Sequence, residues 1–225
     1  KNTYGLIILY KGRIVTEQYW NGWNKNTVYY IASAGKSVTA FLAGIAQQEG
    51  QLNINNKTSD YLGTGWTTAP LAKENLITVR HQLTMTTGLE YNVPDDNCLT
   101  PACLTYKTDA GTSWYYYNAP YRLLQNVIAN ATSTNYNTYT KIKLADKIGM
   151  KNFTWYNYIL WLNSRDMARF GLLTLNKGNW NGNQLMTDQA YFTAMTNTSQ
   201  NMNNSYGYLW WLNGKASFMV PGATF

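Results

Sequence analysis

A serine hydroxyl and a lysine amine stand three positions apart in the stretch Ser33-Ala34-Gly35-Lys36. A serine hydroxyl is a poor nucleophile until a neighbouring base takes its proton. Residues three apart share a helix face, so Lys36 reaches back towards Ser33 Oγ if a helix opens here. Partial burial would lower the lysine pKa far enough for it to act as that base. The N–H groups and dipole of a helix start would favour the negative charge that develops on an attacked carbonyl. Taken alone, the pair also describes a helix N-cap followed by a solvated lysine. The surrounding residues favour the chemical reading, because Val28, Tyr29, Tyr30 and Ile31 precede the pair and a strongly apolar helix follows it.

That helix is read from Val38, Phe41, Leu42, Ile45 and Ala46, which recur at the spacing of one buried face, with Ser33 as its start and Gly50 as its stop. Upstream, two apolar runs flank Lys11-Gly12, and Ile14, Thr16 and Gln18 alternate as a strand should, so residues 3–20 read as a β-hairpin. From Gln51 to about Gln200 the pattern is helices joined by polar loops. They include a short helix ended by Gly88, periodic segments at 119–131 and 138–150, and SRDMARFGLLTLNKG, with a serine start and a glycine stop. Strands return at SYGYLWWLN and ASFMV. The expected class is therefore α/β. Residues 1–50 and 205–225 would form the sheet region and 51–204 a mostly helical region, together one catalytic domain. Both ends are abrupt, so a chain trimmed at each end is expected.

Of the 225 residues only 13% are charged, the formal charge is +7, and the pI is near 9.2. The basic residues are scattered, with Lys141, Lys143 and Lys147 the nearest approach to a cluster. A nucleic-acid binder gathers such charge into a stripe, so that class is excluded, while loose attraction to an anionic cell envelope fits. No apolar run reaches the roughly 18 residues of a membrane span. Cys98 and Cys103 are the two cysteines, too few with one distant histidine for a zinc site. They close a small disulfide loop, which implies an oxidising compartment, or remain two free thiols.

Three segments in order carry a resemblance: SAGK at 33–36, ITVRHQLTMTTGL at 77–89 and AGTSWYYYNAPYRLL at 110–124. They resemble the Ser-x-x-Lys, ITxRHLLTxTSGL and PGTxxxYSN segments of serine β-lactamases and penicillin-binding proteins, in their class C and esterase-like branch. SRDMARFGLLTLNKGNW is similar to a segment of 6-aminohexanoate-dimer hydrolase-like members. The resemblance implies a β-lactamase/transpeptidase-like sandwich, an antiparallel sheet flanked by helices with a mostly helical inserted region. It implies Ser33 as nucleophile, Lys36 and Tyr116 as proton carriers, and Asn118 as a holder of Lys36 or of a substrate amide. Tyr115 and Tyr117 are the neighbouring registers for the tyrosine. A tyrosine serves as a base only if a cation stabilises its phenolate, and otherwise as a hydrogen-bonding relay. His81, the one histidine, corresponds to a structural histidine at a helix start.

The implied activity is acyl transfer on a small-molecule ester, short linear amide or peptide, with no cofactor and no metal, by a secreted or periplasmic bacterial protein. A third family motif, on a strand near the C-terminus, has no clear counterpart, and SFMVPGATF is the closest text. The rival reading is a non-catalytic module binding cell-wall peptide or glycan on aromatic platforms, since WYYYNAPY, WYNYILWL and YGYLWW are rich enough to line a groove.

Overall fold

Two apolar runs meeting at consecutive left-handed residues, Lys11 (φ 49°) and Gly12 (φ 76°), make the first hairpin in a computed structural model that describes residues 2–212. Strand β1 (Gly5–Tyr10) pairs antiparallel with β2 (Arg13–Tyr19) from Tyr10↔Arg13 to Gly5↔Tyr19, with an irregularity at Ile8/Leu9. After β3 (Tyr29–Tyr30) and a 3₁₀ turn at Ala32–Ala34 comes α1 (Gly35–Gln48), followed by α2 (Ser59–Leu62), α3 (Leu71–Glu74), α4 (Val79–Leu83) and α5 (Asn118–Ala131). Helix α6 (Tyr136–Thr140) runs through a π turn into α7 (Asp146–Ile148). Then follow β4 (Phe153–Tyr156), β5 (Ile159–Leu162), α8 (Ser164–Leu175), β6 (Asn179–Trp180), β7 (Asn183–Gln184) and α9 (Gln189–Met195).

The class is α/β as expected, with helices packed around small antiparallel sheets ordered β1-β2, β3-β5-β4 and β6-β7. Helix α1 is the hub. Val38, Phe41, Leu42, Ile45 and Ala46 are all at most 3% exposed, and Ala40 and Ala43 are fully buried, so the helix is enclosed on nearly every side. Two glycines permit this. A Cβ on Gly35 would come within 3.1 Å of Leu160, and one on Gly44 within 2.4 Å of the Tyr191 ring. The first lets the helix start lie on β5; the second lets α9 close over its middle, where Tyr191 donates to the Ala40 carbonyl at 2.7 Å. Arg165 clasps Glu17 through Nε and Nη2 at 2.7 and 2.6 Å, joining α8 to β2 and holding the Glu17 carboxyl down at about 2.

Several expectations need correction. The stretch from Gln51 to Gln200 also carries the hairpins β4–β5 and β6–β7. Residues 205–212 form turns and one bridge, Tyr206 to Trp211, where a strand was expected. Their backbone is satisfied elsewhere: Tyr208 N–H donates to Met195 O and Leu209 N–H to Leu83 O, so no ladder is left to form. The short helix α4 ends at Leu83, not Gly88, because Met85 takes a positive φ of 62° and Thr86 N–H closes on His81 O. ASFMV and the text SFMVPGATF lie outside the described residues.

Candidate active site

Ser33 was expected to cap α1. It lies instead in the 3₁₀ turn Ala32–Ala34, one residue upstream of the helix's Ala34 cap, and its side chain makes no capping bond. The turn is fixed from outside the helix. Tyr29 and Tyr30 pair with Leu162 and Trp161 of β5, and Ile31 N–H donates to Leu160 O at 3.0 Å. Ala32 then adopts a left-handed φ of 45°, turning the chain sharply into the helix. The Ser33 hydroxyl is left exposed and free to accept from Lys36 Nζ at 3.1 Å.

Lys36 is only 4% exposed, on the first turn of α1. Its Nζ donates to Ser33 Oγ and, at 2.9 Å, to Asn118 Oδ1. It also stands 4.4 Å and 4.9 Å from the ring centres of Tyr121 and Tyr116. Burial, helped by the positive charge of Arg122 and opposed by Asp96, lowers its pKa to about 8. An ammonium that titrates near 8 is poised between donor and base at neutral pH.

Asn118 opens α5 with Tyr117 at its cap, and its amide is held in turn. Nδ2 donates to Asp96 Oδ2 at 2.8 Å, which fixes Oδ1 towards Lys36. Sequence reasoning missed Asp96. It sits just before the Cys98–Cys103 disulfide, whose loop is tightened by Asn97 N–H on Asp95 Oδ1 at 2.9 Å and Cys98 N–H on Asp95 O. A pair of aspartates ahead of a cysteine loop was the available signal, but nothing local tied it to a residue 22 positions away.

The three neighbouring tyrosines part company. Tyr115 stacks on Tyr91 with centroids 3.5 Å apart and is 43% exposed, while Tyr117 is buried in a second apolar cluster with Leu104 and Leu123. Tyr116 lies beside Lys36 and Ser33, boxed by Trp211 at 5.5 Å and Tyr206 at 6.1 Å. Burial pushes its phenol above the ordinary value, and hydrogen bonding with Ser33 and Trp211 pulls the other way. A phenol so placed stays protonated near neutrality and suits a relay better than a base.

Ser33, Lys36, Asn97, Asn118, Arg122 and Tyr158 are among the residues that line one open pocket. Tyr158 reaches it from the β4–β5 turn, where Asn157 and Tyr158 both have positive φ and Gln125 Nε2 of α5 donates to the Tyr158 carbonyl at 3.0 Å. No group of metal-binding side chains occurs among the described residues.

His81 stands apart from this cluster and completes a capping box. Thr78 Oγ1 accepts from His81 N–H, and His81 Nδ1 accepts from Thr78 N–H at 3.1 Å. Burial lowers its pKa, keeping the ring neutral as an acceptor must be. His81→Ala should therefore cost about 1 kcal/mol, a melting point lower by about 2–4 °C, with the Ser33 hydroxyl still reactive. An unchanged melting point with an inert Ser33 would overturn this assignment.

Comparison with known proteins adds four findings. Residues 3–223 match the Beta-lactamase family model. An uncharacterized protein of Alkalihalophilus pseudofirmus is 21% identical over 273 residues, covering 97% of this chain and 77% of that protein. Among solved structures, a Bacillus anthracis protein provisionally named a 6-aminohexanoate-dimer hydrolase superposes with a TM-score of 0.79 at 19% identity, covering 95% of this chain and 66% of its own. A D-stereospecific amidohydrolase from a Streptomyces species gives 0.70 at 15%, covering 86% and 73%. At such identities these structures speak for the fold alone.

Proposed function

The chain belongs to the Beta-lactamase family, and on that premise we propose that it is a serine hydrolase that forms an acyl-enzyme on an ester, short linear amide or peptide. The observation that carries the reading is the continuous chain of contacts Ser33–Lys36–Asn118–Asp96, with Lys36 buried and lowered to about 8.

In the acylation step Ser33 Oγ bonds to the substrate carbonyl carbon and gives its proton to neutral Lys36 Nζ. The carbonyl electrons move to oxygen and return as the leaving group departs. Tyr116 passes the proton from Lys36 to that group, and Lys36 is neutral again. Water then attacks the acyl-enzyme by the same route in reverse and frees Ser33. Asn118 holds Lys36 on its serine, and Asp96 holds Asn118. Substrates bearing esters or linear amides fit the branch of the family that the motifs resemble better than β-lactams do. The Cys98–Cys103 disulfide suits a secreted or periplasmic setting.

A fluorophosphonate probe followed by peptide mass spectrometry tests this. One adduct, on Ser33, is expected, and none on the Ser33→Ala chain. A folded protein that takes no adduct would hand the site to the rival reading, a non-catalytic binder of cell-wall peptide or glycan.

A further inference from the structure

Leu89 bridges to Tyr106 and Glu90 N–H donates to Thr105 O at 2.9 Å, so residues 91–104 leave the body of the protein and return through one neck. Their regular structure is a single 3₁₀ turn, Pro101–Cys103. A segment without a ladder of backbone bonds is held by whatever side chains tie it down. Asp96 sits on the outgoing arm, so its bond to Asn118 is only as firm as that arm.

Little else secures the arm among the described residues. Asn97 N–H and Cys98 N–H both close on Asp95, and Asn97 Nδ2 donates to Asp96 Oδ1 at 2.7 Å, all within the loop. The bond to Asn118 is the one hydrogen bond there that joins residues 94–97 to anything outside the loop. Val93 and Leu99 rest half-buried against the second apolar cluster.

The disulfide supplies the missing tie. Cys98 follows Asp96 by two residues, and its partner Cys103 stands on the returning arm, where the chain is anchored. Leu104, next along, is fully buried, and its carbonyl accepts from Thr68 N–H at 3.0 Å. The same cluster holds Tyr117, the cap of α5, whose hydroxyl donates loosely to Cys103 O at 3.5 Å. A closed circuit results, from Asp96 through Cys98, Cys103, Tyr117 and Asn118 back to Asp96.

We propose that Cys98 and Cys103 are positioning residues of the site, and that reducing their disulfide reversibly slackens Lys36 by freeing Asp96 from Asn118. The effect on reactivity rests on the hydrolase reading; the coupling of disulfide to lysine does not. A dithiol reductant opens the bond. One of its thiolates bonds to one cysteine sulfur and releases the other; its second thiolate then closes on its own first sulfur and releases the remaining cysteine. Two electrons and two protons thus pass to Cys98 and Cys103, and the reductant becomes a disulfide. Thr100, Pro101 and Ala102 between the cysteines are exposed, so the bond can be reached. It spans only five positions, so losing it frees the unfolded chain less than losing a long-loop disulfide would, and the fold should survive.

Side-chain ¹³C NMR titration of Lys36, beside fluorophosphonate labelling of Ser33, tests this on the intact chain before and after dithiothreitol. Asp96 favours the charged lysine, so its release is expected to move the Lys36 titration below about 8. Arg122, Tyr116 and Tyr121, the other charged or titratable side chains around Lys36, lie outside the loop and keep their places. Labelling at about pH 9.5, where Lys36 is largely neutral in both forms, should slow by on the order of 10 to 100-fold and recover on reoxidation. Asp96→Asn should copy both changes with the disulfide intact, and reduction should then add nothing. A titration and labelling rate indifferent to reduction overturn the proposal, as does an Asp96→Asn chain that matches the parent or that reduction still slows. A reduced chain that loses its cooperative melt overturns it too, since the disulfide would then serve the fold and not the site. Labelling of Ser33 that ignores reduction, with an unmoved Lys36, ends the proposal alone. A Lys36 titration that moves with the disulfide at an unlabelled Ser33 ends the hydrolase reading alone.

Discussion

Alanine at position 33 is expected to cut turnover of any ester or amide substrate by on the order of 10⁴-fold or more, at every pH. The size of the effect follows from what is lost. Lys36, Asn118 and Tyr116 would still surround the substrate, but no atom would remain to form the covalent intermediate. Ser33 is exposed and makes no helix cap, so its contribution to the fold's stability is confined to the hydrogen bond it accepts from Lys36. The variant should melt within about 4 °C of the parent, since it removes one hydrogen bond of buried Lys36, worth about 1 kcal/mol, while Asn118 still holds the ammonium. Steady-state rates beside a thermal melt check both halves. Turnover near the parent's rate, in a chain free of contaminating hydrolase, would remove Ser33 from the chemistry.

Lys36→Ala should lower kcat/KM by about 10² to 10⁴-fold, the usual worth of a positioned general base. Its more telling signature lies in the pH profile. Lys36 acts as a base only when neutral, and burial brings its pKa to about 8. Only about a tenth of the molecules then hold a neutral Lys36 at pH 7, so the parent's kcat/KM should climb roughly tenfold per unit below pH 8 and level off above it. The alanine variant should lose that step. A flat parent profile from pH 6 to 9, or a step near 8 that persists without Lys36, would mean that another group supplies the base. Stability moves with pH in the same sense. A lysine whose pKa is lowered in the folded chain costs stability below its folded value, so folding should strengthen as pH rises from about 8 towards 10.4, the ordinary value for lysine.

What could be read from the chain alone divides along physical lines. Ser33 and Lys36 were legible because one turn of chain at a helix start fixes their relation, and Tyr116 and Asn118 through the resemblance of AGTSWYYYNAPYRLL to a family segment. The resemblance chose Tyr116 among the three tyrosines, but the residues around it gave no physical reason for that register. It is decided by Tyr115 leaving to stack on Tyr91 and Tyr117 sinking against Leu104, contacts that no local spacing encodes. The strands β4 and β5 escaped notice because FTWY and ILWL are too short to show a period, and their turn, Asn157-Tyr158, lacks the glycine that usually marks one. Asp96 and Arg122 were hidden for the same reason as the strands, since each acquires meaning from a neighbour supplied by tertiary folding. The Ser33 cap was misread because a serine ahead of an apolar helix ordinarily caps it, and here the 3₁₀ turn takes the extra residue.

The pairing of Tyr29 and Tyr30 with Leu162 and Trp161 has a consequence for how the protein is made. The strand that fixes the Ser33 turn leaves the ribosome about 130 residues after Ser33, a delay on the order of 6 to 26 seconds at 5–20 residues per second. Leu209 comes later still, accepting from Ser37 Oγ at 3.2 Å and donating to Leu83 O. A nascent chain that stops short of these partners carries the serine without the frame that aims it. The Ser33 hydroxyl thus gains its frame only after β5 and Leu209 have been made, long after its own residue joins the chain.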